Sequence, residues 1–261
     1  MGTNERNLRL RASIPTVTLG GMPIARLSRA DTADLICAIA TGGNGSAEPP
    51  VVMSSANGQV LSECARRREL RGLFDQADIL SADGQPMVLL SRMMSRTPVP
   101  DRCATTDLFH DVSKRLPRGA RYFLLGSSSV ELARALLTIQ RLYPHITIVG
   151  ARDGYFSKDE EPAIVEAINE AAPDVLWIAM GVPHELAFAL KHRNRLNRVK
   201  VIKTSGGLFN FLSGSRSRAP RWMQALALEW LYRLMLEPRR LFVRYLTTNC
   251  HSLFLLLTKT R

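Results

Sequence analysis

The chain has 261 residues, of which 46% are hydrophobic, so it can bury one large core or two small ones. It contains no run of 18 apolar residues and no apolar segment typical of a secretion signal, so we expect neither a membrane-spanning helix nor export. Its four cysteines lack C-x-x-C spacing, which favours reduced thiols and a cytoplasmic location.

Apolar segments that alternate with helical patterns predict a parallel sheet. A helix over 30–41 and a Gly/Ser/Pro-rich linker over 42–50 come first, and the predicted strands follow at 51–54, 77–81, 121–125, 146–149, 174–180 and 199–204. Helices are predicted between them, over 58–70, 85–94, 106–116, 129–143, 159–171 and from 183. Strands that are apolar throughout are typical of a Rossmann-like, mostly parallel α/β sheet with helices on both faces.

The excess positive charge lies at the C-terminal end, where the pattern becomes wholly helical. Residues 191–261 carry 15 basic and two acidic side chains, whereas residues 1–190 carry 20 basic and 21 acidic ones. Aromatic residues interleave with these arginines: Trp222, Trp230, Phe242 and Tyr245. Such a segment is typical of contact with an anionic surface or a polyphosphate, and a solvated basic face is the alternative. We therefore divide the chain into an N-terminal extension with the first helix (1–49), a Rossmann-like body (50–207) and a basic helical appendage (208–261).

Ligands of open α/β sheets bind at the carboxyl ends of the strands, so residues that follow strands are the first candidates. Glycines there let the backbone approach a phosphate, and helix N-termini supply amide donors, which together favour a nucleotide or nucleotide-sugar site. The motifs G-x-G-x-x-G and G-x-x-x-x-G-K-[ST] are absent, which argues against an NAD site or a P-loop. The candidates after strands are Ser55, Asn57, Asp83, Gly126, Tyr155, Gly181, Pro183, Gly206 and Gly207.

Asp83 is the strongest candidate for catalysis, because it follows a buried strand and precedes Gly84. A partly desolvated carboxylate at that place can take a proton from a hydroxyl as a general base, and a cap on the helix from Gln85 is the alternative. Arg102 is the second candidate, since its guanidinium suits a diphosphate, with a surface ion pair as the alternative. No D-x-D motif or metal-like histidine spacing occurs, so we expect no metal and no cofactor.

Several motifs in a fixed order support a family assignment. They are Ala82-Asp-Gly84, Asp107-Leu108, Gly154-Tyr-Phe156, Gly181-Val-Pro183, Gly206 to Gly214, Arg218-Ala-Pro220, Glu229 to Arg233, Glu237 to Arg240 and Arg244-Tyr245. Over about residues 50–246 this order resembles the WecG/TagA/CpsF glycosyltransferase family. Its bacterial members assemble teichoic acid linkage units, enterobacterial common antigen and exopolysaccharides.

The resemblance implies an inverting, metal-independent transfer of a hexose from a UDP-sugar to a polyprenyl-diphosphate-linked acceptor. The enzyme would be cytoplasmic and peripheral on the inner face of the cell membrane, which its C-terminal helices would contact. Asp83 would be the base, and the family's other site positions would fall on Ser55, Asn57 and Arg102. The arginines thought to close over the diphosphate fall among Arg218, Arg233, Arg239, Arg240 and Arg244.

Two departures from the family pattern bear on the donor sugar. Glu185 stands where glutamine is expected, and Asn210 stands where aspartate is expected. Our interpretation is a UDP-glucose donor in an exopolysaccharide pathway, with N-acetylmannosamine or its uronic acid as the alternative. The acceptor saccharide and a homo-oligomeric state stay open.

Two other classes of protein compete with this interpretation. The basic charge fits a non-enzymatic nucleic-acid-binding protein, but no recognised nucleic-acid motif is present, so we expect no nucleic-acid partner. The alternating sheet fits a nucleotide-dependent oxidoreductase, against which the missing glycine fingerprint weighs.

Overall fold

A six-stranded parallel sheet organises the computed structural model, which describes residues 5–42 and 49–261. Most of the predicted linker over 42–50 lies outside these residues. In chain order the elements are α1 (Glu5–Ser13), β1 (Thr16–Leu19), β2 (Met22–Ala25), α2 (Arg29–Thr41), β3 (Val51–Ala56), α3 (Gly58–Arg66), α4 (Arg68–Gln76), β4 (Ile79–Ala82), α5 (Gln85–Met94), α6 (Thr105–Arg115), β5 (Arg121–Gly126), α7 (Ser129–Leu142), β6 (Thr147–Arg152), α8 (Glu161–Ala171), β7 (Val175–Ala179), α9 (His184–His192), β8 (Val201–Thr204), α10 (Leu208–Leu212), α11 (Arg221–Ala225), α12 (Glu229–Leu236) and α13 (Pro238–Thr258).

The strand order is β4-β3-β8-β7-β5-β6, and every neighbouring pair is parallel. One core cluster packs α2, α6, α7 and α10 on one face of the sheet, and the other packs α3, α4, α8, α9 and α13 on the opposite face. The central strand β7 is buried at all five positions, as its continuous apolar sequence requires. The predicted α/β fold with helices on both faces is confirmed.

Local sequence explains where some of the helices begin. Ser28 and Asp31 form a capping box at the start of α2, and Ser128 with Glu131 does the same for α7. Helix α6 begins one residue before the predicted helix over 106–116, and its capping residue, Ala104, makes no side-chain hydrogen bond.

Two other details differ from the prediction. The helix predicted over 58–70 is two helices, since the backbone of Arg67 is extended and separates α3 from α4. The hairpin of β1 and β2, which turns at Gly20 and Gly21 in the left-handed region, lies where the sequence analysis placed only an extension.

The C-terminal helix α13 packs against α3 and contributes Leu255 and Leu256 to the core. Gly58 permits this approach, because a Cβ there would lie 2.8 Å from Ser252 Oγ. Beyond the helix, Arg261 exchanges two backbone hydrogen bonds with Thr18, of 2.9 and 3.2 Å. The C-terminal end of the basic helical segment therefore packs into the core of the sheet-containing body. Within the described ranges, no helix has the length and apolarity needed to cross a bilayer.

Candidate functional site

A cavity of about 160 Å³ opens at the carboxyl ends of β3, β4 and β8, and the C-terminal helices cover it. It brings together many of the residues singled out from the sequence: Ser55, Asn57, Asp83, Arg102, Glu185, Gly206, Gly207, Arg218 and Arg233. Other candidates are not among its lining residues: Gly126, Tyr155, Gly181, Pro183, Arg239 and Arg244. The side chain of Arg240 lies outside the described part of the structure.

Asp83 follows β4, and its carboxylate borders this cavity. Oδ2 accepts hydrogen bonds from the backbone N of Thr105 at 3.4 Å and from its Oγ1 at 3.2 Å, while Oδ1 lies 3.5 Å from Arg102 Nη2. The cap residue of α5 is Gly84, which makes no side-chain capping bond, so the alternative role of Asp83 as a helix cap is wrong. Because its contacts are long, the carboxylate keeps capacity to accept a proton from a ligand hydroxyl.

Arg102 is partly buried beside Asp83, and it forms an ion pair with a residue of the C-terminal segment instead of an ion pair on the surface. Its Nη1 lies 2.8 Å from Glu229 Oε2, and the other oxygen of Glu229 accepts from Arg233 Nη2 at 2.9 Å. Burial alone would raise the pKa of Glu229, but Arg102 and Arg233 outweigh it and hold that pKa below its ordinary value. Arg102 Nε is buried without a hydrogen-bond partner among the described residues, so the site retains an unused donor.

Arg218 reaches the same cavity from the loop before α11. Its guanidinium forms a bidentate pair with the Asp107 carboxylate at the start of α6 and donates to Gln224 Oε1 at 2.8 Å. Arg216 also lines the cavity, although the sequence analysis did not select it. Among the described residues four guanidinium groups thus surround one small cavity, and a carboxylate pairs with each of them; Arg216 Nη2 lies 3.9 Å from Glu237 Oε1.

Glu185 joins the loops that follow β7 and β8. Its Oε2 accepts from the backbone N of Gly181 at 3.1 Å and from that of Gly206 at 2.8 Å. We expected the backbone N–H groups of these glycines to donate to a phosphate, but in the structure they donate to the Glu185 carboxylate. Burial raises the pKa of Glu185 to about 7, against the opposing effect of the two amides and of Lys203.

The remaining candidates hold the edges of the site or lie away from it. Asn57 caps α3, accepting from the backbone N of Val60 at 3.0 Å. Gly126 has φ +133°, and a Cβ there would lie 2.3 Å from the Ala179 carbonyl oxygen, so the glycine is required by close packing of β5 on β7. The Tyr155 side chain is 80% exposed in the loop after β6.

Asn210, the second departure from the family pattern, also has a local partner. Its Nδ2 donates to Glu131 Oε1 at 2.9 Å, and Ser127 Oγ donates to its Oδ1 at 3.1 Å. An aspartate at this position would set a second carboxylate against Glu131, so the amide suits this surrounding.

Besides Arg216, sequence reasoning missed Thr105 and Glu229, which line the cavity, and Lys203, which lies behind it. Glu229 belongs to one of the motifs quoted above, which was its only signal. Lys203 interrupts an apolar strand and is fully buried, with Nζ 2.9 Å from Ser55 Oγ. Among the described residues no group of three or more histidine, cysteine or acidic side chains is placed to hold a metal ion.

Comparisons with known proteins agree with one another. The family model described as "Glycosyl transferase WecG/TagA/CpsF family" matches residues 17–261. The chain is 30% identical over 190 residues to an N-acetylglucosaminyldiphosphoundecaprenol N-acetyl-beta-D-mannosaminyltransferase of Bacillus subtilis (strain 168), covering 72% of this chain and 73% of the relative. It is 29% identical over 187 residues to the enzyme of the same name from Bacillus spizizenii, covering 71% of each.

Proposed function

Because this chain belongs to the WecG/TagA/CpsF family of glycosyl transferases, we propose that it transfers N-acetylmannosamine from a UDP-linked donor to a polyprenyl-diphosphate-linked N-acetylglucosamine. The transferred sugar and the acceptor follow the names of the two Bacillus relatives. Neither name supports the UDP-glucose donor and the exopolysaccharide pathway favoured from the sequence, and the alternative donor therefore replaces it.

The proposed reaction is a single displacement with inversion at the anomeric carbon of the donor. Asp83 takes the proton of the acceptor hydroxyl while that oxygen bonds to the anomeric carbon, and the bond from this carbon to the UDP oxygen breaks. Negative charge then develops on the diphosphate of the leaving UDP, and fixed cations near it lower the barrier. Arg102, Arg218 and Arg233 are the groups that we assign to that role.

The observation that carries the proposal is the shared cavity of Asp83 and the arginines. One carboxylate able to act as base lies 3.5 Å from a partly buried guanidinium at the carboxyl ends of the strands, which is where open α/β proteins bind their ligands. Substrates bound in this cavity can therefore contact both the base and the arginines that stabilise the leaving group.

Donor binding requires a rearrangement of the C-terminal segment. The cavity holds about 160 Å³, whereas small-molecule sites are typically roughly 300–1,000 Å³. Glu229 on α12 occupies Arg102 and Arg233, so a diphosphate has to replace this carboxylate before it can use both arginines. We infer that the Glu229 side chain moves away from Arg102 and Arg233 when the donor enters.

The C-terminal helices also present an apolar surface that suits the lipid-linked acceptor. On α11 to α13 the exposed large apolar side chains are Trp222, Leu226, Trp230, Met235, Leu236, Phe242, Val243, Leu246, Leu253, Phe254 and Leu257. The neighbouring helix α5 extends this surface with Leu89, Met93 and Met94. Exposed apolar side chains beside arginines are typical of helices that lie at an anionic membrane surface, and we propose this contact for the segment.

The test is a donor panel with a lipid-linked N-acetylglucosamine diphosphate as acceptor and released UDP as the readout. We expect turnover with UDP-N-acetylmannosamine and much less with UDP-glucose or UDP-N-acetylmannosaminuronic acid. In the matched control Asp83→Asn, turnover should fall by about two to four orders of magnitude, because the variant keeps the shape but loses the proton acceptor. Turnover with UDP-glucose alone would overturn the donor assignment, and near-normal turnover of the variant would overturn the role of Asp83.

A further inference from the structure

Lys203 is a charged residue in the middle of the sheet, where its burial needs an explanation. It lies on β8 between β3 and β7, opposite Met53 and Trp177, and is fully buried. An ammonium group without partners would strongly destabilise the fold in such a place. Its Nζ donates to Ser55 Oγ and to the Thr204 carbonyl oxygen, each at 2.9 Å.

A chain of hydrogen bonds connects this buried amine with the carboxylate of Asp83. Ser55 Oγ lies 3.4 Å from Thr105 Oγ1, and Thr105 Oγ1 donates to Asp83 Oδ2 at 3.2 Å. Lys203 donates at one end and the carboxylate accepts at the other, so the two hydroxyls between them have one consistent orientation, with each donating towards Asp83. Ser55, Thr105 and Asp83 line the cavity, whereas Lys203 lies behind its wall.

We propose that Lys203 is a positioning residue for the base: through Ser55 and Thr105 it fixes the orientation of the Asp83 carboxylate and favours its ionised form. The inference rests on the proposed function, in which Asp83 accepts the proton of the acceptor hydroxyl. It adds a residue that the family motifs did not select and that has no contact with substrate.

Other charged and titratable groups face the two ends of this chain. Burial lowers the pKa of Lys203, and Cys103, Asp83 and Glu185 oppose that effect. Asp83 in turn faces Arg102, which Glu229 also contacts. Arg102 contacts Oδ1 of Asp83, whereas Thr105 contacts Oδ2. Removal of Lys203 therefore leaves the contact with Arg102 in place and tests only the hydrogen-bond chain that ends at Oδ2.

The first experiment needs no turnover. Lysines are labelled with carbon-13 at Cε, and the Lys203 signal is assigned by its loss in Lys203→Met. We expect this signal to titrate below the other lysines and, in Asp83→Asn, to titrate lower still by about one pH unit, because a nearby anion that favours the ammonium form is lost. Asp101→Asn, which removes a carboxylate one residue from Arg102, is the matched control and should leave the signal unchanged. An unchanged Lys203 titration in Asp83→Asn would overturn the coupling.

The second experiment measures kcat and KM against pH in the full chain. Lys203→Met should lower kcat roughly tenfold with little change in donor KM, and the acidic limb of kcat/KM should move to higher pH, because the cation that favours the ionised base is gone. Lys200→Met is the matched control, because Lys200 lies at the amino end of β8, away from the cavity, and this variant should leave the pH profile unchanged. Should Lys203→Met fail to fold, Ser55→Ala and Thr105→Val interrupt the same chain and should move the acidic limb in the same direction.

The two experiments separate the two ideas. A coupled Lys203 titration in a protein that turns over no donor would overturn the proposed function and leave the coupling standing. Normal turnover with an acidic limb unmoved in Lys203→Met, or unmoved in both hydroxyl variants, would overturn the positioning role alone.

Discussion

Glu229 neutralises two arginines of the cavity that the diphosphate of a substrate would also have to contact. Its carboxylate bridges Arg102 and Arg233, while Asp107 pairs with Arg218. A diphosphate brings further negative charge into a space whose cations are already matched, so we expect Glu229 to compete with the donor for its two arginines.

The substitution Glu229→Gln tests this competition directly. Glutamine keeps the length of the side chain and removes the charge, so UDP should bind about tenfold more tightly, equivalent to about 1.4 kcal/mol. Isothermal titration calorimetry with UDP measures the change, and Glu170→Gln on the exposed side of α8 is the charge-matched control. Weaker UDP binding in Glu229→Gln would instead mean that the carboxylate holds the arginines in their binding positions.

At the scale of elements, Glu185 links the ends of β7 and β8 and makes the stability of their loops depend on pH. Its pKa is raised from 4.5 to about 7, so the folded protein binds this proton more tightly than the unfolded chain does. The stabilisation is complete below pH 4.5 and is lost as the pH rises towards 7. Relative to Glu185→Gln, the free energy of unfolding should fall by on the order of 3 kcal/mol across that window.

Denaturant unfolding at a series of pH values measures this difference. Glu166→Gln, on the exposed side of α8, is the control and should follow the wild type at every pH. A difference between wild type and Glu185→Gln that stays constant from pH 4.5 to 7 would contradict the raised pKa.

The elements themselves were largely predictable because the strands are short apolar runs between helical patterns. The hairpin of β1 and β2 was missed although Gly20-Gly21 between two alternating segments is a turn signal. At the site, Asp83 was predictable because it follows a strand within a family motif, and Arg102 because it follows a turn and precedes the motif at Asp107. Glu229 and Lys203 were not, because one reaches the cavity only by long-range packing and the other lies in a segment that otherwise predicts a buried strand.

For the whole molecule, the basic C-terminal segment should bind anionic membranes in a salt-dependent way. Binding to phosphatidylglycerol vesicles, measured by sedimentation, should weaken several-fold between low and physiological salt, because screening reduces the attraction of arginines to headgroups. Phe242→Ser should weaken vesicle binding relative to the unsubstituted protein at the same salt concentration. Leu137→Ser, which removes a similarly exposed apolar side chain on α7, should not. Equal binding to neutral phosphatidylcholine vesicles, or no salt effect, would contradict an electrostatic contact.

Point substitutions suit this test better than removal of the segment. Truncation at residue 208, which the sequence analysis treated as the end of the body, would also take Leu255 and Leu256 out of the core. Loss of two buried leucines typically costs several kcal/mol, so inactivity of a truncated chain would not distinguish a lost membrane contact from a destabilised fold.

The contact between the hairpin and the residues after α13 has a consequence for how the chain folds. Gly20 donates a backbone hydrogen bond to Thr260 Oγ1, and these two residues are 240 positions apart in the sequence. Contacts of such separation form late, because the entropy of closing a long loop must be offset before they contribute stability. On the ribosome these contacts of β1 cannot form before residues 260 and 261 have emerged, and we expect Val17 and Leu19 to be open to chaperones until then.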